Sequence, residues 1–162
     1  MSEDGLVYFE DLEIGTKAAF GRYAVTREEV IEFASKYDPQ PFHLSDEAAA
    51  KTHFGRISAS GWHTCAMVMR MLVSNMTERK QAGLGSPGLD ELRWLKPVYP
   101  GDVLRLESEV LSKQPSRSRP EMGSFKSAVR VFQSGRRGGD DDAVDWIDSG
   151  PQSRPGVIMR CR

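Results

Sequence analysis

Cysteine is scarce in this chain. Cys65 and Cys161 stand far apart with no metal-ligand spacing, which excludes a disulfide scaffold and a zinc-binding module. Two free thiols in a reduced, cytoplasmic protein are the expectation. Charge of one sign is also missing. Lys and Arg number 22 against 23 Asp and Glu, for a net charge of -1, so no electrostatic argument favours nucleic acid. Arg117, Arg119, Arg136 and Arg137 fall in polar, loop-like sequence and read as solvated. No apolar run approaches the ~20 residues that a bilayer requires. The first residues, MSEDGLVYFEDLE, are acidic and lack the basic and apolar regions of a signal peptide. There is no internal repeat, no glycine-rich phosphate loop and no nucleophile-elbow serine.

What is present suits one domain over residues 1–162, with 39% apolar and 28% charged residues. The opening YFEDLEIGTKAAFGRYAV reads as extended, with a turn near Gly15. Thr26 with Glu29 predicts a capping box, and Val30, Phe33, Ala34 and Tyr37 continue at helical spacing. Pro39 ends that helix. Ser45 then caps a short helix over DEAAAKTHF, stopped by Gly55. GRISAS is a short extended link.

From Gly61 to Met76 no helix breaker occurs. Cys65, Val68, Leu72 and Met76 share one face, and Ala66, Met67, Met69 and Met71 are also apolar. Such a helix is expected to be buried, its methionines in core packing. The second half changes to period two: Leu92 and Trp94, then Leu104, Leu106 and Val110, alternate with charged residues, which predicts strands. Tyr99 to Asp102 (YPGD) is a turn, KQPSRSRPEMG a polar loop, and SFKSAVRVFQ a further strand. Residues 134–156, rich in Gly and Asp, read as an irregular polar segment that Trp146 and Ile147 anchor, before a final strand in VIMRCR. Helices followed by antiparallel strands make an α+β pattern with a long central helix for a sheet to wrap.

The chemistry concentrates in YDPQPFHLS, Tyr37 to Ser45. Asp38 and His43 are five residues apart, and the prolines at 39 and 41 argue against a helix between them. A proline-stiffened loop holds both side chains toward one point at little entropic cost. A carboxylate and an imidazole converging on one water form a general acid/base pair. The plainer alternative is that Asp38 caps a helix, His43 fills a turn and the prolines only connect. His53 and His63 repeat His43 at intervals of ten, which is not a metal-ligand spacing, so no metal is expected. His63 reads as a polar edge residue of the central helix, and His53 as the lead into the Gly55 stop. Phe42 and Trp62 flank the motif, either as walls of a pocket or, more simply, in core packing.

The layout resembles the MaoC-like dehydratases, a family that includes the R-specific enoyl-CoA hydratases. The resemblance covers YFEDLEIGT, YDPQPFHLSDEAAA, ISASGWHT, LRWLKPVYPGDVLRLESEV and SRSRP, from about Tyr8 to Gln133. The family's pattern is Asp, any residue, Asn, Pro, any residue, His. Asp38, Pro41 and His43 match it, while Gln40 stands where the hydratases carry Asn and Tyr37 where they often carry Gly.

The resemblance implies a hot-dog fold with the Gly61–Met76 helix at its centre, a homodimer, and reversible addition of water to a trans-2-enoyl thioester linked to CoA or to an acyl carrier protein. No cofactor is implied beyond the CoA of the substrate. Asp38 would take a proton from water, which His43 helps to hold. The Gly61 amide, at a helix start, would face the thioester oxygen with the Ser60 hydroxyl beside it. The family continues from VRVF through a short turn into one more strand, where this chain inserts a Gly- and Asp-rich stretch. Two other readings stay open. One is a hot-dog thioesterase, whose usual Asp or Glu motifs are missing here. The other is a non-catalytic hot-dog subunit that binds an acyl group or partner chain.

Overall fold

A computed structural model of the chain describes residues 5–134, 142–147 and 157–160. A single 3-10 turn (Phe9–Asp11) precedes strand β1 (Lys17–Ala24). Helices α1 (Arg27–Tyr37), α2 (Pro41–Leu44), α3 (Asp46–Ala49) and α4 (Gly61–Glu78) follow, then β2 (Gly83–Gly85), β3 (Val103–Pro115), β4 (Met122–Ser134), β5 (Asp142–Ile147) and β6 (Val157–Arg160). The strands form one antiparallel sheet in the order β1-β3-β4-β6-β2. The long strand β4 gives one edge to β3 and shares the other, its first residues pairing with β6 and its last with β5. The sheet packs on α4, which at 18 residues is about 27 Å long. This is the hot-dog arrangement.

Period two fixes which strand residues face α4. Leu104 and Leu106 of β3 and Val129 and Val131 of β4 meet Met67, Val68 and Met71 of α4 in a core closed by Val30, Ile57 and Val98. Each such side chain stabilises the fold by about 1.5–3 kcal/mol through removal from water. Phe9, Phe125 and Met159 form a smaller core beyond it.

Several expectations change. α4 is not buried all round. His63, Thr64, Met67, Val68 and Met71 are its buried residues, whereas Trp62, Met69 and Val73 are 60%, 53% and 50% exposed. Only Val68 of the expected face is among the buried residues, because the sheet and α1 engage a face turned from the one the apolar count suggested. Leu92 to Trp94 form no strand, since the Trp94 side chain is drawn onto α4 instead. The helix after Ser45 stops at Ala49 and relaxes into turns up to Gly55, whose φ of 70° is left-handed.

The α1 capping box is half made. The Thr26 hydroxyl accepts from the Glu29 amide at 3.3 Å, but Glu29 accepts from the Tyr23 hydroxyl at 2.7 Å rather than from the Thr26 backbone. Burial, and then Glu29, push the Tyr23 hydroxyl pKa up to about 12. Residues 142–147, expected to be irregular, are β5; VDW alternates between apolar and acidic, but Gly- and Asp-rich neighbours hide the pattern. The final strand is present as β6. The rest of the polar segment, residues 135–141 and 148–156 with Arg136 and Arg137, and Cys161 lie outside the described residues. Among the described residues no helix is long and apolar enough to cross a membrane.

Candidate active site

Asp38 is the C-cap of α1, its amide donating to the Ala34 carbonyl at 3.0 Å. Pro39 forbids another helical turn. Pro41 does the opposite of what was expected: it opens α2 at the first helical position, where a missing N–H costs nothing. His43 therefore sits on a one-turn helix and not on an irregular loop.

His43 is buried at 5% exposure. Its Nδ1 lies 2.7 Å from the Ser58 carbonyl oxygen. A carbonyl only accepts, so Nδ1 carries a hydrogen, and in the neutral ring Nε2 carries the lone pair. Nε2 is 3.4 Å from Asp38 Oδ2. The two residues singled out in the motif thus face each other across a gap that a proton or a water must bridge.

Asp38 is further held on its other side. The Gln40 side-chain amide donates to Oδ1 at 2.8 Å, and the Ser60 hydroxyl also donates to the carboxylate. Burial raises the Asp38 pKa, but the hydrogen bonds from Ser60 and Gln40, together with His43, outweigh it and hold the carboxyl below its ordinary range. Gln40, where the family pattern has Asn, thus supports the carboxylate.

Ser60 is the N-cap of α4 and its Oγ accepts from the Trp62 amide at 3.2 Å. The same hydroxyl helps to lower the Asp38 pKa, so Ser60 stands between the carboxylate and the Gly61 amide. Gly61 is the first residue of α4, and its N–H has no acceptor among the described residues. A free amide at the positive end of an 18-residue helix is a ready donor to a developing anion.

Aromatic rings wall the site. Phe42 stands edge-on to His43 at 4.6 Å and stacks on Phe54 at 5.2 Å. Trp62, expected in the core or a pocket wall, is exposed and meets Trp94 edge to face at 5.5 Å. The remaining histidines stand apart from this pair. His53 is exposed, its ring tilted against that of Phe54 at 4.0 Å. His63 is no edge residue: it is 6% exposed, stacked on Phe33 at 4.7 Å, and burial lowers its pKa. Its Nδ1 is buried without a hydrogen-bond partner among the described residues. Cys65 is a free, half-buried thiol whose pKa burial raises. No cluster of three or more His, Cys, Asp or Glu able to hold a metal occurs among the described residues.

Ser58, Phe54 and Trp94 were not anticipated as parts of the site. Ser58 left no signal to find. In ISAS, Ile57 and Ala59 enter the core, and the Ser58 backbone carbonyl meets His43; a backbone acceptor leaves no mark in the residue types.

The family model for the MaoC-like domain matches residues 11–130, a span that holds Asp38, His43, Ser60 and Gly61. The chain belongs to the MaoC-like dehydratase family. Among relatives of this MaoC-like protein, the 3-hydroxybutyryl-CoA dehydratase of Methylorubrum extorquens is 30% identical over 119 residues, 72% of either chain. The crystal structure of a MaoC-like dehydratase from Rhodospirillum rubrum is 33% identical, with a TM-score of 0.72 over 96% of this chain and 98% of that one. The R-hydratase PhaJ1 of Pseudomonas aeruginosa is 27% identical, with a TM-score of 0.63 over 94% of this chain and 84% of that one.

Proposed function

We propose that the protein is a hydratase that adds water reversibly to a trans-2-enoyl thioester, CoA-linked or carried by an acyl carrier protein, to give the R-3-hydroxyacyl product. The observation that carries this reading is the Asp38–His43 pair, 3.4 Å apart, with the imidazole tautomer set by Ser58.

In the neutral ring both Nε2 and the carboxylate are acceptors. A single water donating to both directs its oxygen lone pair outward, toward the β-carbon of the substrate. As the C–O bond forms, the pair takes one proton from that water and returns it to the α-carbon. One O–H bond and the π bond of the alkene break, one C–O and one C–H bond form, and the pair ends as it began. Negative charge that builds on the thioester oxygen meets the Gly61 amide. No cofactor enters these steps; the CoA is part of the substrate.

The MaoC-like protein works, on this reading, as a cytoplasmic homodimer. The supporting observation is the outward stripe of Trp62, Met69 and Val73 on α4, apolar surface that a second copy would cover. Light scattering that gives the mass of one chain would refute the dimer.

The activity test is hydration of crotonyl-CoA and longer trans-2-enoyl-CoA substrates, followed by loss of the conjugated thioester absorbance, with wild type beside Asp38→Asn and His43→Ala. Turnover in wild type that falls at least ~100-fold in each folded variant supports the acid/base roles. A folded wild type inert on every chain length favours the non-catalytic subunit.

A further inference from the structure

Trp94 lies far along the chain from the motif, yet it touches the first turn of α4. Its indole Nε1–H donates to the Gly61 carbonyl at 3.1 Å. The ring lies so close over Gly61 that a Cβ built there would stand 2.6 Å from indole Cε2 and 2.8 Å from Nε1. Only glycine allows this approach. The ring also meets Trp62 edge to face at 5.5 Å.

The Gly61 carbonyl and the Trp62 amide belong to one peptide group. Ser60 Oγ holds its N–H edge at 3.2 Å and Trp94 holds its C=O edge at 3.1 Å. This plane is therefore gripped from both sides by side chains 34 residues apart in sequence. The preceding peptide, which carries the free Gly61 N–H, is joined to it through one Cα. Glycine has the loosest backbone of any residue, so residue 61 would otherwise sample several directions for its amide. An extra donor on the first carbonyl of a helix adds nothing that the helix lacks, because that carbonyl already has the residue four positions on as a partner. A bond that is redundant for the helix but fixes the one flexible residue beside a free amide has a positional use.

We propose that Trp94 is a positioning residue: with Ser60 it clamps the Gly61–Trp62 peptide and so sets the direction in which the Gly61 amide is offered to the thioester oxygen. The inference rests on the hydratase reading above. Ser60 lies beside both the Asp38 carboxylate and the clamped peptide, while the Trp94 indole, which also reaches the Cys65 thiol and the Trp62 ring, holds the carbonyl edge.

The test compares Trp94→Phe, which keeps a flat ring but loses the N–H, with Ser60→Ala in the full-length protein. Trp94→Phe should lower kcat about tenfold, the loss expected when an oxyanion donor is misdirected rather than deleted. Its KM for crotonyl-CoA should stay within about twofold, and its pH profile and melting temperature should match wild type. Ser60→Ala should lower kcat and also move the acid limb to higher pH, because it releases Asp38. In amide NMR spectra Trp94→Phe should shift the Gly61 and Trp62 resonances and leave those of residues 41–44 in place. A Trp94→Phe variant with wild-type kcat overturns the proposal, as does one whose loss lies in KM, which would make Trp94 a direct ligand contact. If wild type hydrates no enoyl thioester, the hydratase reading fails and the catalytic meaning of the clamp with it. The NMR shifts still decide whether the clamp exists.

Discussion

Replacing Gln40 with methionine tests how Asp38 is kept ionised. Methionine preserves length and flexibility but removes the donor that reaches Asp38 Oδ1 at 2.8 Å. A hydrogen bond to a charged group contributes about 1.5–3 kcal/mol when well shielded. Gln40 is exposed and Asp38 retains 20% of its side-chain surface, so water replaces part of the loss and about 1 kcal/mol is the reasonable expectation. That figure applies only while Asp38 is a carboxylate. Its folded pKa is depressed, so the stability it contributes is present above the unfolded carboxyl range and disappears as pH falls through the folded value.

The prediction is therefore a double difference. Urea denaturation should show Gln40→Met less stable than wild type by about 1 kcal/mol at neutral pH. The two proteins should converge at a pH well below the ordinary carboxylate range. In the hydration assay the acid limb of kcat/KM should move to higher pH, because a less stabilised carboxylate protonates sooner, while the neutral plateau changes by no more than about fivefold, the rate equivalent of ~1 kcal/mol. A stability gap that persists unchanged into acid would show that Gln40 contributes packing and not charge stabilisation. An unmoved acid limb would separate Asp38 from the rate.

The candidate pair was legible because its parts are local. A helix stop, two prolines and two chemical side chains within Tyr37 to Ser45 need no tertiary information to be read as a constraint. A long unbroken helix ahead of period-two strands carried the α+β pattern, and the resemblance to the MaoC-like dehydratases carried the hot-dog arrangement. What stayed hidden depends on contacts between distant segments. The tautomer of His43 is set by Ser58, fifteen residues on. The clamp on Gly61 comes from Trp94, and Leu92 to Trp94 alternate like a strand while making none. The buried face of α4 was misjudged for a related reason. A helix apolar on most of its surface carries no periodic signal for which part meets its own sheet and which is left outward.

Further tests follow the same physical terms. Lys113→Met should cost about 1–2 kcal/mol in chemical denaturation, because Lys113 Nζ donates to the carbonyls of Phe9, Glu10 and Leu12 and sits 4.6 Å over the Phe9 ring. Gly123→Ala should destabilise by about 1–3 kcal/mol through overpacking, since a Cβ there would stand 2.5 Å from the Phe9 ring, on which Lys113 also sits; a melting temperature equal to wild type would show that the ring moves freely. His63→Phe addresses the buried imidazole. Phenylalanine keeps the stack on Phe33 and removes an Nδ1 that has no partner among the described residues, so stability at neutral pH should be equal or higher. Burial lowers the folded pKa of His63. The unfolded chain therefore binds a proton that the folded chain refuses, and wild type loses stability as pH falls below the unfolded histidine value. His63→Phe lacks that loss, so its advantage over wild type should widen from neutral to mildly acidic pH. An advantage that shrank on acidification would mean that His63 is charged in the folded protein, and the stack on Phe33 would then have to shelter an imidazolium.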